Sequence, residues 1–206
     1  MKRLALCLTS SLMLLGSGAA HADVIRYTTT LSGAIEATPN DSPATGTARV
    51  LIDDVAGTMT VNASFAGLTA PTTASHIHCC TALPFEGAAG VATSLPTFPA
   101  FPLGVTSGSY TETFDLLNMA TYNPAFVTNN GGTVAGAQSA FLAGLAAGRA
   151  YLNIHTVAFP GGEIRGFLVE APADVPEPGS LALFGLGAAG LAGLRRRRAA
   201  YQATHP

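Results

Sequence analysis

The segment TMTVNASFA, residues 58–66, decides the fold, because apolar and polar side chains alternate along its whole length. The apolar positions are Met59, Val61, Ala63 and Phe65. Successive side chains of a β-strand point to opposite faces, so a period of two predicts a strand with one face in a core and the other in solvent. The preceding residues 54–57 have turn chemistry and connect this strand to another at residues 47–53.

Similar strand patterns recur along the chain. They predict strands at residues 25–37, with a break at Gly33, and at residues 74–80, 108–116, 150–156 and 163–170. Residues 83–104 are rich in proline and glycine and are expected to form a long irregular loop, as are residues 123–132. One helix is predicted from Thr133, a suitable N-cap, to Gly148. This order predicts a mainly β protein, an antiparallel β-sandwich of immunoglobulin-like or superoxide-dismutase-like Greek-key type with one short helix.

The N-terminus has the pattern of a secretory signal. Lys2 and Arg3 precede an apolar run at residues 4–15, and Ala20-His21-Ala22 offers a cleavage site for signal peptidase. Residues 1–22 are therefore predicted to form a signal helix that is removed on export.

The C-terminus combines a short motif, an apolar run and a basic stop. These parts are Pro176-Glu177-Pro178, a predicted hydrophobic helix at residues 180–194, and Arg195, Arg196, Arg197 and Arg198. Together, residues 174–206 resemble the PEP-CTERM sorting signal of Gram-negative bacteria. The resemblance implies export through the inner membrane, a tether through the C-terminal helix, and removal of the tail by an exosortase-type enzyme, which leaves the protein at the cell surface or outside the cell.

The tail helix is short for a permanent anchor. Fifteen residues at 1.5 Å per residue span about 22 Å, whereas the hydrocarbon core of a bilayer is about 30 Å thick. A transient tether is therefore expected, with a permanent anchor as the alternative.

The remaining residues, 23–173, are enough for one domain with its own core. This domain contains four arginines, no lysine and ten acidic residues, so its net charge is near −6. Because binding to nucleic acid needs clusters of basic residues, the composition excludes nucleic acid as a partner.

All three histidines of the domain lie in two short motifs, HIHCC at residues 76–80 and YLNIHT at residues 151–156. On a strand, His76, His78 and Cys80 share one face, and His155 joins them if the two strands are neighbours. Three imidazoles and a thiolate suit zinc or copper, the only cofactors that the residues indicate. The His-x-His spacing is similar to that of copper-zinc superoxide dismutase, but the fuller ligand set of that enzyme is missing. The alternative is structural: the histidines bond to backbone carbonyls or to a carboxylate such as Glu163.

The adjacent Cys79 and Cys80 leave several states open. Export exposes them to an oxidising compartment, where a disulfide between them is conceivable. On a regular strand the two side chains point to opposite faces, which argues against that bond, whereas a kink in the backbone at this point would reverse the argument. The alternatives are metal ligation by Cys80, pairing with another chain, and two buried thiols.

A third motif, GGEIRG at residues 161–166, places Glu163 and Arg165 on one strand face, where an ion pair with a structural role is expected, with a catalytic carboxylate as the alternative. With HIH, YLNIHT, LSGAIEATP at residues 31–39 and ASFAGLTAP at residues 63–71, this motif resembles the CHRD domain, named after the secreted antagonist chordin. The resemblance spans residues 24–171, within a predicted domain of residues 23–173. It implies an extracellular type of β-sandwich.

No catalytic constellation is recognisable, since the G-x-S-x-G spacing and a phosphate-binding loop are both absent from the sequence. A non-enzymatic role is therefore favoured over an enzymatic one. The sequence predicts a structural or interaction role in the cell envelope or the extracellular matrix, with polysaccharide or other envelope proteins as partners. The alternative is a metal-binding or small redox protein.

Overall fold

The computed structural model describes residues 24–172. The predicted signal helix at residues 1–22 and the predicted tail at residues 174–206 lie outside the described residues. The eight strands are β1 (Val24–Ser32), β2 (Thr45–Asp53), β3 (Thr58–Ala66), β4 (Thr72–Cys79), β5 (Gly108–Asp115), β6 (Ala150–Thr156), β7 (Ile164–Phe167) and β8 (Val169–Glu170). The helices are α1 (Pro124–Asn129) and α2 (Val134–Ala146), with short 3-10 turns at Gly33–Ile35 and Met119–Thr121. Neither α-helix has the length and hydropathy of a membrane span.

The strands form one antiparallel sheet in the order β4-β6-β7-β1-β2-β3-β5, with β8 paired to β1. The predicted mainly β, antiparallel fold is confirmed. Its strands belong to a single curled sheet, and apolar side chains from all seven strands of this order join one core. β3 has the predicted bounds of 58–66, and its apolar positions Met59, Val61, Ala63 and Phe65 are the buried ones.

The helix predicted from Thr133 is confirmed as α2, and the Thr133 side chain accepts a hydrogen bond from the Gly136 N–H as an N-cap. The loop expected at residues 123–132 instead contains α1. Asn123 caps this helix, and Pro124 occupies its first turn, where a missing N–H costs nothing. Asn followed by Pro is a typical start of a helix. Sequence reasoning missed it because the proline and glycines of the segment suggested a loop.

β6, β7 and residues 75–79 of β4 are covered on both of their faces. Ile77, Leu152, Ile154 and Ile164 lie in the core on one side. The other side carries polar and aromatic residues, yet every residue of β6 and β7 is buried. An antiparallel sheet commonly leaves one face to water, so a polar face that is covered must satisfy its polar groups within the protein. This covered polar face contains the predicted site residues.

Glu163 anchors the edge of this face just before β7. One carboxylate oxygen accepts hydrogen bonds from the Ser42 hydroxyl at 2.6 Å and from the Thr69 N–H and hydroxyl at 2.7 and 3.0 Å. The other oxygen accepts from the Thr156 hydroxyl at 2.7 Å. The expected ion pair between Glu163 and Arg165 is therefore wrong. Hydroxyl and amide donors surround Glu163, and Arg165 pairs instead with Glu36 at 3.7 Å.

The Glu163 carboxylate should make the fold sensitive to acid. Burial alone raises the pKa of Glu163, but the hydrogen bonds from Ser42, Thr69 and Thr156 outweigh burial and lower the pKa below its usual value. A lowered pKa in the folded state means that the stabilisation is complete above the ordinary pKa and is lost as the pH falls through the lowered one.

We therefore predict that Glu163→Gln lowers the free energy of unfolding by about 2 kcal/mol at pH 7, since hydrogen bonds to a charged group are lost. The difference from the wild type should shrink as the pH falls below 4, measured by urea unfolding across a pH series. Glu86→Gln, at an exposed position, is the control and should leave the unfolding curve unchanged at pH 7. An equal loss for both variants, or a difference that grows in acid, would contradict this role of Glu163.

Candidate metal centre

The structure brings His76, His78 and His155 together on the covered polar face. β4 and β6 are neighbours, with Ala74 opposite His155 and His78 opposite Tyr151. The centroids of the imidazole rings lie 5.4 Å apart for His76 and His155, 5.7 Å for His78 and His155, and 6.0 Å for His76 and His78. The convergence that strand periodicity predicted is therefore present.

Each imidazole is buried, and each has one ring nitrogen bonded to a backbone carbonyl. His76 Nε2 lies 2.7 Å from the Pro96 oxygen, and His78 Nδ1 lies 2.9 Å from the Ala89 oxygen. His155 Nδ1 lies 2.9 Å from the Pro160 oxygen. Glu163, the partner expected from the sequence, bonds to none of the three, because its oxygens are occupied by hydroxyl and amide donors.

These carbonyls decide which ring nitrogen carries the proton. A carbonyl oxygen can only accept, so the bonded nitrogen of each ring is the N–H. Burial lowers the pKa of His76 and of His155, and lowers the pKa of His78 to about 4. The three rings are therefore neutral at pH 7, and the second nitrogen of each ring holds a free lone pair.

The nitrogens with free lone pairs are His76 Nδ1, His78 Nε2 and His155 Nε2. All three are buried and have no hydrogen-bond partner among residues 24–172. A buried acceptor without a partner costs about 1–3 kcal/mol. Three such acceptors in one cluster form an arrangement that a bound cation would satisfy.

The spacing of the cluster is close to that of a metal site. One ligand nitrogen from each histidine lies within 4.8 Å of those of the other two. In a tetrahedral site with metal–nitrogen bonds of about 2.1 Å, the nitrogens are about 3.4 Å apart. Contraction by up to about 1.4 Å would bring the three nitrogens to the spacing of metal ligands. The second nitrogen of each ring is already fixed by a carbonyl, as is usual for histidines that bind metals.

Cys80 does not complete this cluster. Its sulfur is bonded to that of Cys79, so it is not a free thiolate. The argument from a regular strand against a bond between the two sulfurs does not apply, because β4 ends at Cys79 and Cys80 lies outside the strand. The disulfide packs against Gly144 of α2. The ligand set that the structure offers is therefore three imidazoles without a thiolate.

A stack of aromatic and charged groups continues from the histidines across the sheet. The Tyr151 ring lies 4.8 Å from the His78 ring and is nearly parallel to it, with an angle of 6°. The Arg165 guanidinium lies 4.7 Å from the centre of the same Tyr151 ring. Arg165 also donates to the carbonyls of Gly87 and Ile35. This stack fixes the orientation of His78 and connects the histidines to β7.

Glu36 is the site residue that sequence reasoning missed. It is buried beside Arg165, and burial raises its pKa to about 7 against the lowering effect of Arg165. Gly162, with a positive φ of 127°, lies against Glu36 and Asn153, where a Cβ atom would collide with both. An acidic residue within LSGAIEATP, a segment otherwise of small and apolar residues, is the signal that could have identified it.

The long irregular loop predicted at residues 83–104 covers this face. Its carbonyls at Gly87, Ala89 and Pro96 accept hydrogen bonds from Arg165, His78 and His76. Two of the three imidazoles are thus held by a segment without regular structure, and the third is held by the loop between β6 and β7 at Pro160.

Comparison with known families gives two matches. The CHRD domain matches residues 27–168, and the PEP-CTERM protein-sorting motif matches residues 174–198. No curated protein and no solved structure matches the chain. The sorting motif marks an exported protein that an exosortase-type enzyme recognises, and such signals are found on membrane-anchored proteins of Gram-negative bacteria. Because the first match covers more than half of the 206 residues, the chain belongs to the CHRD domain family.

Proposed function

We propose that this exported CHRD protein binds one zinc or copper ion through His76, His78 and His155. The observation that carries the proposal is the set of three buried ring nitrogens with free lone pairs and no partner among residues 24–172. A purely structural histidine satisfies both of its ring nitrogens or leaves one in water. Here the carbonyls of Pro96, Ala89 and Pro160 satisfy one nitrogen of each ring, and a metal would satisfy the other.

We place this metal site in a protein with a structural or interaction role at the cell envelope or in the extracellular matrix. The sorting motif at residues 174–198 supports the location. The inner membrane holds the apolar run at residues 180–194 until Pro176, Glu177, Pro178 and the four arginines direct removal of the tail. Partners at the surface are then polysaccharide or other envelope proteins, with the metal stabilising the loops that cover the sheet.

The metal proposal predicts a stoichiometric, histidine-dependent ion. The full-length chain, purified in mild detergent, loaded with zinc or copper and desalted, should retain about one equivalent by elemental analysis. Metal should also raise the melting temperature of the wild type, since it binds the folded state. His78→Ala should abolish both effects. His205→Ala, in the tail, is the matched control and should abolish neither.

If the wild type retained less than about 0.1 equivalent of zinc and also less than about 0.1 equivalent of copper, the proposal would be contradicted. Metal retention that survives His78→Ala would show that the ion binds elsewhere. Because the melting temperature is read on the wild type, the test does not depend on whether the alanine variant folds.

The location predicts a tail-dependent membrane association. Deleting residues 175–198 should move the protein from the membrane fraction to the soluble exported fraction, because the apolar run and its basic stop are lost. Immunoblots of fractionated cells check this, with Arg149→Gln as a control that keeps the tail. A deleted chain that still sediments with the membrane would refute the tether.

A further inference from the structure

The number of ligands limits which metal the centre can hold. Among the His, Cys, Asp and Glu side chains of residues 24–172, the candidate cluster contains three histidines and no fourth member. Two groups that could have been a fourth ligand are engaged: Cys80 in a disulfide, and Glu163 by hydrogen bonds from Ser42, Thr69 and Thr156. Zinc sites in proteins are almost always four-coordinate. A d¹⁰ monovalent copper ion is stable with three nitrogen donors.

The burial of the three imidazoles limits the access of water, which could otherwise serve as a fourth ligand. The exposed fractions of His76, His78 and His155 are 5%, 8% and 9%. The loops that supply the Ala89, Pro96 and Pro160 carbonyls hold the rings in place from outside the sheet. A zinc ion would need a water or hydroxide in its fourth position, and this covered site offers that ligand little access.

The charge of the ion also matters, because a divalent ion is costly to bury among neutral ligands. The three imidazoles are neutral ligands, so a bound ion keeps its full charge within a buried site. The free energy of burying an ion rises with the square of its charge, so a divalent ion costs about four times as much as a monovalent one. The nearby Glu36 does not offset this charge, because Arg165 lies beside it at 3.7 Å. The surroundings therefore favour a monovalent ion.

We infer that the centre selects Cu(I) over Zn(II). This inference rests on the proposed metal binding and adds the identity and oxidation state of the ion. The selection comes from three features of this chain: three neutral imidazoles, a disulfide that removes the thiolate, and Arg165, whose positive charge offsets that of Glu36.

Competition with chelators tests the selectivity directly. The full-length chain is titrated with Cu(I) against a colorimetric Cu(I) chelator, without oxygen and with ascorbate, which leaves disulfides intact. A parallel titration uses Zn(II) against a zinc chelator at the same pH. We expect a dissociation constant for Cu(I) at least about 100-fold below that for Zn(II).

Two matched variants test the charge argument. His155→Asn removes one ligand without adding charge, and both ions should bind at least about tenfold more weakly. His155→Asp has nearly the same shape and supplies a negative ligand, so Zn(II) affinity should recover by about tenfold relative to His155→Asn. Cu(I) affinity should not recover, and the preference for Cu(I) should fall.

The outcomes separate this inference from the proposed function. Wild-type protein that binds Zn(II) as tightly as Cu(I) overturns the selectivity and leaves metal binding intact. Wild-type protein that binds neither ion overturns both. The wild-type titrations decide these outcomes even if a variant does not fold, and equal recovery of both ions in His155→Asp would overturn the charge argument.

Discussion

The structure depends on the burial of a polar sheet face. β4, β6 and β7 pack apolar side chains into the core on one side, and on the other side they carry histidine, tyrosine, asparagine and arginine out of contact with water. Buried polar groups need partners, because their hydration is lost on folding. The loops meet this requirement with backbone carbonyls, which bond to three imidazoles and to Arg165. One nitrogen of each imidazole has no hydrogen-bond partner among residues 24–172, and these three nitrogens make the face a candidate metal centre.

The sequence motifs that identify the family converge on this face. Glu36, in LSGAIEATP, forms an ion pair with Arg165. Thr69, in ASFAGLTAP, donates a hydrogen bond from its backbone N–H to the Glu163 carboxylate. GGEIRG contributes Glu163 and Arg165 themselves, and places Gly162 where a side chain would collide with Glu36 and Asn153. Segments that are far apart along the chain thus hold one another through two buried carboxylates. The family motifs therefore contain the residues that hold the covering segments in place, as well as the histidines that these segments cover.

Periodicity in the sequence predicted the antiparallel β fold and the shared face of His76 and His78, because a strand's period of two needs no tertiary information. Sequence reasoning could not identify the carbonyls at Ala89, Pro96 and Pro160 as partners of the imidazoles. Every residue has a backbone carbonyl, so residue type does not show which carbonyls of an irregular loop will accept these hydrogen bonds. Sequence reasoning predicted an ion pair between Glu163 and Arg165, because both side chains face one side of a strand. Burial beside Ser42, Thr69 and Thr156 gave Glu163 other donors. Strand geometry also failed at Cys80, because the strand ends one residue earlier.

In the proposed centre, three histidine nitrogens surround the bound metal and no sulfur does. X-ray absorption at the metal edge of the loaded full-length protein identifies the ligand atoms. We expect about three nitrogen scatterers near 2.0 Å, with the outer-shell pattern of imidazole, and no sulfur near 2.3 Å. A sulfur shell, or a spectrum without imidazole scattering, would contradict the proposed centre.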